Sequence, residues 1–479
     1  MKHIKYKTFR YGRFFAVILF AVLPHLVCAK EKMTFEQWFC DSTLRVDYIF
    51  TGDALHQHIA LDELRSSEGW YGRRVNLTEP ALRGNGTLNM TDVSTGDTLF
   101  CTSFSTLFQE WQTTEEATRH SRSFENVFLV PMPRCDVRME VVLYDTHNRQ
   151  TARFSHLVTP SDILIRPIDA THAAPHRAIF SGGDSKGCID VAIVAEGYTE
   201  EERELFYQDA ETICREIMRY SPFSKHHDDF NFTAVALESR ESGVSIPHEQ
   251  LWKDTALGAS FDTFYSQRYL TTLRLKKLHD SLAGIPYEHI IILANTDNYG
   301  GGGIYNSYTL SAAHNPLCLP VTVHEFGHSF GGLGDEYFYD DQYEQFYNPG
   351  IEPWEQNLTT LADFGKKWQD MLPEGTPVPT PCEELAENDM EHIGVYEGGG
   401  YQSKGVYRAF MDCRMKTNNT KRFCAVCERA IERVIAHQIM PLEHSPHKSK
   451  SSCKLGNQKH YRNPKKWPEK KRNQVAPPL

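Results

Sequence analysis

The stretch V-T-V-H-E-F-G-H-S-F-G-G-L-G-D-E-Y, residues 321–337, restricts this chain more than any other. Residues four apart lie on one helical face about one turn from each other, so a helix through His324 and His328 aims two imidazoles at a single point. Glu325 stands one step round, beside whatever the two rings hold. Glycines at 331, 332 and 334 stop such a helix soon after His328, and two further carboxylates, Asp335 and Glu336, follow directly. The pattern is rare by chance even in a chain with 22 histidines.

Two imidazoles and one carboxylate are a donor set that zinc accepts when a fourth position stays open for reaction; structural zinc takes four protein donors. In the longer pattern H-E-x-x-H-x-x-G-x-x-H, the third donor comes just past a helix-ending glycine. With Gly331 as that glycine, the third place falls on Gly334, which has no side chain. Moving the register by one residue makes Gly332 the turning glycine and puts Asp335 in the third place. Glu336 is the alternative donor; failing that, it supports the ligands or caps a helix. Glu325 is suited to take a proton from an attacking water and pass it to a leaving amine.

At 479 residues the chain exceeds what one core usually organises, so two domains with tails are expected. Lys2, Lys5, Lys7, Arg10 and Arg13 precede the apolar run F-F-A-V-I-L-F-A-V-L-P-H-L-V-C-A, and Val27-Cys28-Ala29 reads as a cleavage site. Residues 1–29 are therefore expected to be a secretory signal, which makes the chain exported: periplasmic, cell-surface or extracellular. Pro24 and His25 break the run below the roughly 20 residues of a membrane span, so no stable span is expected. Lipidation at Cys28 is disfavoured by the bulk of Val27.

Without Cys28 an odd number of cysteines remains, able to form disulfides after export with at least one left over. Cys424 and Cys427 form C-x-x-C; with no second such pair at ribbon spacing, a disulfide or plain packing is expected rather than a metal. From Pro446 onward ten Lys or Arg face the single acid Glu469, so residues 446–479 read as a disordered basic tail. The body between signal and tail is strongly acidic, which argues against a nucleic-acid partner. Nothing in the composition speaks to oligomeric state.

Residues 30–167 contain short segments rich in Val, Thr, Phe and Tyr, such as L-R-V-D-Y-I-F and R-M-E-V-V-L-Y-D, separated by turns. They predict an antiparallel β-sandwich with a binding or spacer role. Residues 168–183, Pro-, Ala- and Gly-rich without periodicity, read as a linker. From 184 to 445 strand-like runs (C-I-D-V-A-I-V-A-E-G-Y, H-I-I-I-L-A-N) alternate with helical patterns, which predicts a mixed α/β domain. The glycines 300–303 introduce an expected edge strand next to the 321–337 helix, able to pair with an extended peptide. Tyr305, Tyr308, Tyr337 and Tyr407 are candidates to stabilise an oxyanion.

H-E-F-G-H-S-F-G-G-L-G-D-E-Y resembles the signature of the M64 metallopeptidases, the IgA peptidase family, H-E-x-x-H-S-F-x-G-L-x-D-E-Y, at each defined position. D-V-A-I-V-A-E-G-Y-T-E-E-E, E-S-R-E-S-G-V-S-I-P and Y-R-A-F-M-D-C-R-M are similar to further family blocks, so the likeness spans most of the chain after the signal. The resemblance implies a metzincin-like zinc peptidase domain behind an N-terminal β domain. It makes His324, His328 and Asp335 the zinc ligands and Glu325 the base, with a methionine beneath the metal: Met415 by its C-x-M spacing, or Met411. The expected function is an exported zinc endopeptidase acting on protein or peptide. The alternatives are a non-catalytic zinc-bearing surface protein that binds glycan or protein, and a zinc amidase acting on cell-wall peptides.

Overall fold

The computed structural model describes residues 34–171, 173–339, 346–381 and 392–439. The expected signal with Cys28 and the basic tail lie outside them. Alternation rules the first part of the chain, because a strand turns successive side chains to opposite faces. A short helix α1 (Phe35–Trp38) leads into β1 (Phe39–Gly52), where Leu44, Val46, Tyr48 and Phe50 are fully buried. Next come β2 (Gln57–Glu68), β3 (Gly86–Asp92), β4 (Thr98–Phe104) and helix α2 (Leu107–Trp111). The part closes with β5 (Arg122–Pro133), β6 (Val137–Tyr144), β7 (Gln150–Val158) and β8 (Arg166–Pro167).

These strands make two four-stranded sheets, ordered β5-β1-β2-β8 and β4-β3-β6-β7. Their aromatic faces meet: the rings of Phe104 (β4) and Phe128 (β5) are 4.5 Å apart, those of Tyr48 (β1) and Phe154 (β7) 6.2 Å. Pairing is antiparallel except for the short parallel contact of β2 with β8.

The second part begins with β9 (His176–Ser181), β10 (Ile189–Glu196), helix α3 (Arg203–Ile217) and β11 (Phe230–Val235). It continues through α4 (Leu275–Ser281), β12 (His289–Ala294), β13 (Gly301–Ile304), β14 (Tyr308–Ala312) and α5 (Cys318–Ser329). Six strands form one sheet in the order β13-β14-β12-β10-β11-β9, parallel in its middle and antiparallel at both edges. Every residue of β10 and β12 is buried, which is why both read as unbroken apolar runs. One expectation needs correction: His176–Ser181, inside the segment 168–183 taken for a linker, is an edge strand of this sheet. Most of its residues are exposed, so no apolar run announced it.

A small fourth sheet follows, built from β15 (Phe338–Tyr339), β16 (Leu358–Thr359), β17 (Tyr396–Gly399) and β18 (Tyr401–Arg408). Here β18 pairs with the other three. Helix α6 (Ala425–Gln438) ends the described chain.

The two main parts share a continuous apolar core that runs from Val46 and Phe128 to Val194, Ile292 and Leu310. Polar contacts cross the same boundary. Arg45, 1% exposed, donates to Asp47 at 2.7 Å and to Asp280 of α4 at 2.6 Å; the Ser105 amide donates to the Tyr305 carbonyl at 3.0 Å. The β-rich part is thus built into the α/β part rather than strung before it. Among the described residues no helix is long and apolar enough to cross a membrane.

Candidate metal centre and active site

Helix α5 carries His324, Glu325 and His328 and packs on β13 and β14. The glycine run explains the closeness. A Cβ on Gly303 would stand 2.3 Å from the Glu325 carbonyl oxygen and 2.9 Å from the His328 Cβ, so only glycine lets the strand lie this near the helix. The outer side of β13 is less open than the sequence suggested, because Gly301 bridges to Tyr269.

The helix ends as the shifted register requires. Gly332, not Gly331, takes the left-handed conformation, with φ +58°, and its amide donates to the His328 carbonyl at 3.0 Å. This is a left-handed helix cap, and it turns the chain back toward the rings. Asn357 fastens the returning strand: its side chain accepts from the Gly334 amide and donates to the Gly334 carbonyl, each at 2.8 Å. A Cβ on Gly332 would meet Leu82 Cδ1 at 2.5 Å and Trp354 Cζ3 at 2.9 Å. Gly332→Ala should therefore destabilise the protein by more than the roughly 1–2 kcal/mol of the left-handed backbone alone, as read from thermal or denaturant unfolding. An unchanged midpoint would refute the cap.

Beyond the cap, Asp335 comes back to the helix. His324 Nε2, His328 Nε2 and Asp335 Oδ1 form a triangle with sides of 3.0, 3.0 and 3.2 Å. The other nitrogen of each ring is committed as a donor: Nδ1 of His324 to the Arg414 carbonyl at 3.0 Å, Nδ1 of His328 to the Leu333 carbonyl at 2.5 Å. A carbonyl only accepts, so both Nδ1 atoms carry hydrogen. Two Nε2 lone pairs and a carboxylate oxygen are then left facing one another, an arrangement only a cation makes favourable. Tetrahedral bonds of about 2.0–2.1 Å put neighbouring donors roughly 3.3 Å apart, close to the sides observed. The residues present therefore fit a metal ion.

The same field attracts a proton. Burial disfavours a charged His328, yet Asp335 outweighs it and raises the ring's pKa to about 9. Burial would likewise raise the Asp335 carboxyl, but the two imidazoles hold it far below the usual carboxylate range. The Tyr401 hydroxyl donates to the second oxygen, Oδ2. Protons and metal compete for one position.

Glu325 is half-buried, and among the described residues no side chain or amide hydrogen-bonds its carboxylate. Burial raises its pKa while the two histidines oppose the rise. Of the four tyrosines singled out from sequence, only Tyr337 reaches the donors; its ring is 6.4 Å from that of His324. Tyr308 is buried and donates to the Thr272 carbonyl, and Tyr305 packs on Trp354.

Sequence reasoning missed three contributors. Tyr401 begins β18 and is separated from Asp335 by sixty-six residues. Glu110, from α2 of the β-rich part, accepts from the Tyr269 hydroxyl at 2.6 Å in the field of Asp335, His328 and Glu325. Burial in the cleft raises its pKa to about 7, although its surface reaches solvent. No motif marked any of the three, since each is brought in by tertiary structure.

Met415 is fully buried under α5, where a Cβ on Gly327 would come within 2.7 Å of its sulfur. Met411 lies instead beside Arg408. Glu336, also fully buried, does not join the imidazoles: its carboxylate turns to Asn357 at 2.9 Å and to Cys427 at 3.1 Å. Of the two readings offered for C-x-x-C, a disulfide or plain packing, the disulfide is not found. Cys424 and Cys427 are not bonded, and none of the described cysteines forms a disulfide.

Comparison with known proteins places the chain in a family. The sequence profile described as IgA Peptidase M64 matches residues 178–392 and 385–435, and that of the Peptidase M64 N-terminus matches residues 34–155. The chain belongs to the M64 peptidase family. It is a metallopeptidase, and its substrate class is protein or peptide. The M64 match starts inside β9, in agreement with that strand's place in the sheet. No curated protein matches the chain. Among solved structures, metalloproteinase-II from Bacteroides fragilis is similar at 11% identity over 46% of this chain and 69% of that one. Its TM-score is 0.19, too distant a likeness to add to the assignment.

Proposed function

We propose that this M64 member is an exported zinc endopeptidase of metzincin-like design, with His324, His328 and Asp335 as metal ligands and Glu325 as general base. One observation supports it above the rest: two imidazole Nε2 atoms, whose Nδ1 partners are committed to carbonyls, converge with a carboxylate oxygen, beside a second carboxylate that has no hydrogen-bond partner among the described residues. Zinc bound there lowers the pKa of water and polarises a carbonyl. The rest is the work of the chain. Arg414 and Leu333, through their carbonyls, keep both rings in the tautomer whose Nε2 is a lone pair. Tyr401 fixes the carboxylate of Asp335. Glu325 accepts a proton from the attacking water and returns it to the leaving amine. Glu110 and Tyr269, hydrogen-bonded to each other, bring the β-rich part within the electrostatic reach of these groups. Export rests on the basic and then apolar N-terminus; the periplasm, the cell surface and the medium all suit it.

A cleavage screen over unfolded proteins, peptides and cell-wall muropeptides, with and without a strong chelator, tests this reading. Chelator-sensitive peptide-bond cleavage, restored by zinc, is expected. Cleavage of muropeptides alone would favour the amidase, and metal binding with no cleavage the non-catalytic alternative.

A further inference from the structure

A second group of metal-binding side chains lies one residue beyond Asp335. Glu336, Cys413, Cys424 and Cys427 each offer one donor atom, and all four atoms fall within 4.8 Å of one another. They come from three separate places: the segment between the helix cap and β15, the turn that carries Met415, and the start of α6. Three of the four are completely buried, and Cys424 is 4% exposed.

Distances within the group suit a cation at its centre. Cys413 and Cys427 hold their sulfurs 3.7 Å apart. That is well beyond the roughly 2.05 Å of a disulfide and close to the roughly 3.8 Å edge of a tetrahedron with metal–sulfur bonds of about 2.3 Å. The Cys424 amide points at the Cys413 sulfur, 3.1 Å away, as amides do toward thiolates. Glu336 uses one oxygen for Asn357 and Cys427, and the other, equally buried, has no hydrogen-bond partner among the described residues. An ionised carboxylate there has an uncompensated lone pair, and a protonated one has a hydroxyl with nothing to receive it. Either state is costly in an apolar interior beside Phe423 and Ile431. A divalent ion removes the difficulty. Helix α6, fourteen residues long, begins at the group, so its N-terminal amides favour negative sulfur at Cys424 and Cys427.

We propose that Glu336, Cys413, Cys424 and Cys427 form a second, structural site for a thiolate-preferring divalent ion, zinc first among them. Four protein donors leave no open position, which distinguishes this site from the histidine one. Its effect on the neighbouring centre follows from the covalent chain. Glu336 adjoins Asp335, and its amide donates to the Met415 carbonyl at 2.8 Å. Cys413 adjoins Arg414, whose carbonyl orients His324. An ion at the second site thus ties together the segment carrying Asp335, the methionine turn and α6.

The test uses the full chain and does not depend on catalysis. Wild type should hold about two zinc ions per chain, and Asp335→Ala, which disables only the first site, about one. Zinc X-ray absorption of Asp335→Ala should then show a sulfur shell at about 2.3 Å. Its cobalt-loaded form should show thiolate-to-metal charge transfer, which Cys413→Ser and Cys427→Ser should weaken. If the serine variants do not fold, the sulfur shell in Asp335→Ala still decides. Asp335→Ala zinc with only nitrogen and oxygen neighbours would overturn the proposal, as would an intact mass two hydrogens short that places a disulfide between any two of the three cysteines.

Discussion

Glu325→Gln is expected to lose peptide hydrolysis by roughly 10²- to 10⁴-fold while keeping its metal content and its unfolding midpoint. The amide matches the carboxylate in shape, and Glu325 makes no hydrogen bond among the described residues that the change would break. It is also not one of the three converging donors, so the metal has no reason to leave. What disappears is a group able to accept a proton beside them. Gly301 and Gly303 keep this space clear, since a Cβ on Gly301 would come within 3.2 Å of the Glu325 side chain. Turnover and elemental analysis on the same preparation make the check. Activity near wild type would remove Glu325 from the reaction, and loss of metal would mean that it acts on binding rather than on proton transfer.

What was legible in the residues and what was hidden differ by the range over which the contacts act. His324, Glu325 and His328 could be read directly because one helical turn sets their relation. Asp335 could be read because a glycine cap has few ways to continue, and Gly332 does take the left-handed turn that the one-residue shift assumed. Strands whose apolar residues alternate with polar ones, such as β1 and β6, declared themselves by that alternation, and those apolar on both faces, β10 and β12, by apolar runs. By contrast β2 and β9 are partly exposed along their length and carry charges, so their letters look like loop although each backbone pairs with a neighbouring strand. Side chains recruited across the fold left no local mark at all. Tyr401 reaches Asp335 because β18 pairs with the strand that follows the cap, and Glu110 arrives only because two sheets and a six-stranded sheet share one core. The cysteines show the same limit. C-x-x-C taken alone suggests a local bridge or plain packing, and the approach of Cys413 and Glu336 to it depends on a turn and an extended segment that no spacing rule connects.

Removing Asp335 should weaken metal binding at the histidine site more than any change around it. Asp335→Ala takes away one of three protein donors and also the negative charge that draws a cation to the two imidazoles, and the small cavity it leaves can be filled only by water. Tyr401→Phe removes a hydrogen bond to the same carboxylate and leaves the donor in place. Loss of such an outer partner costs metal affinity by about 10- to 100-fold, so Asp335→Ala should exceed that range and Tyr401→Phe fall within it. Competition against a chromophoric chelator, following the more weakly bound ion in each variant, ranks the three proteins. Wild type should bind tightest, Tyr401→Phe next and Asp335→Ala last. If Asp335→Ala matched wild type, the third donor would be another side chain, and the one-residue shift past the glycine cap would lose its chemical meaning. If Tyr401→Phe fell as far as Asp335→Ala, the tyrosine would be holding the carboxylate in its binding position rather than merely tuning it.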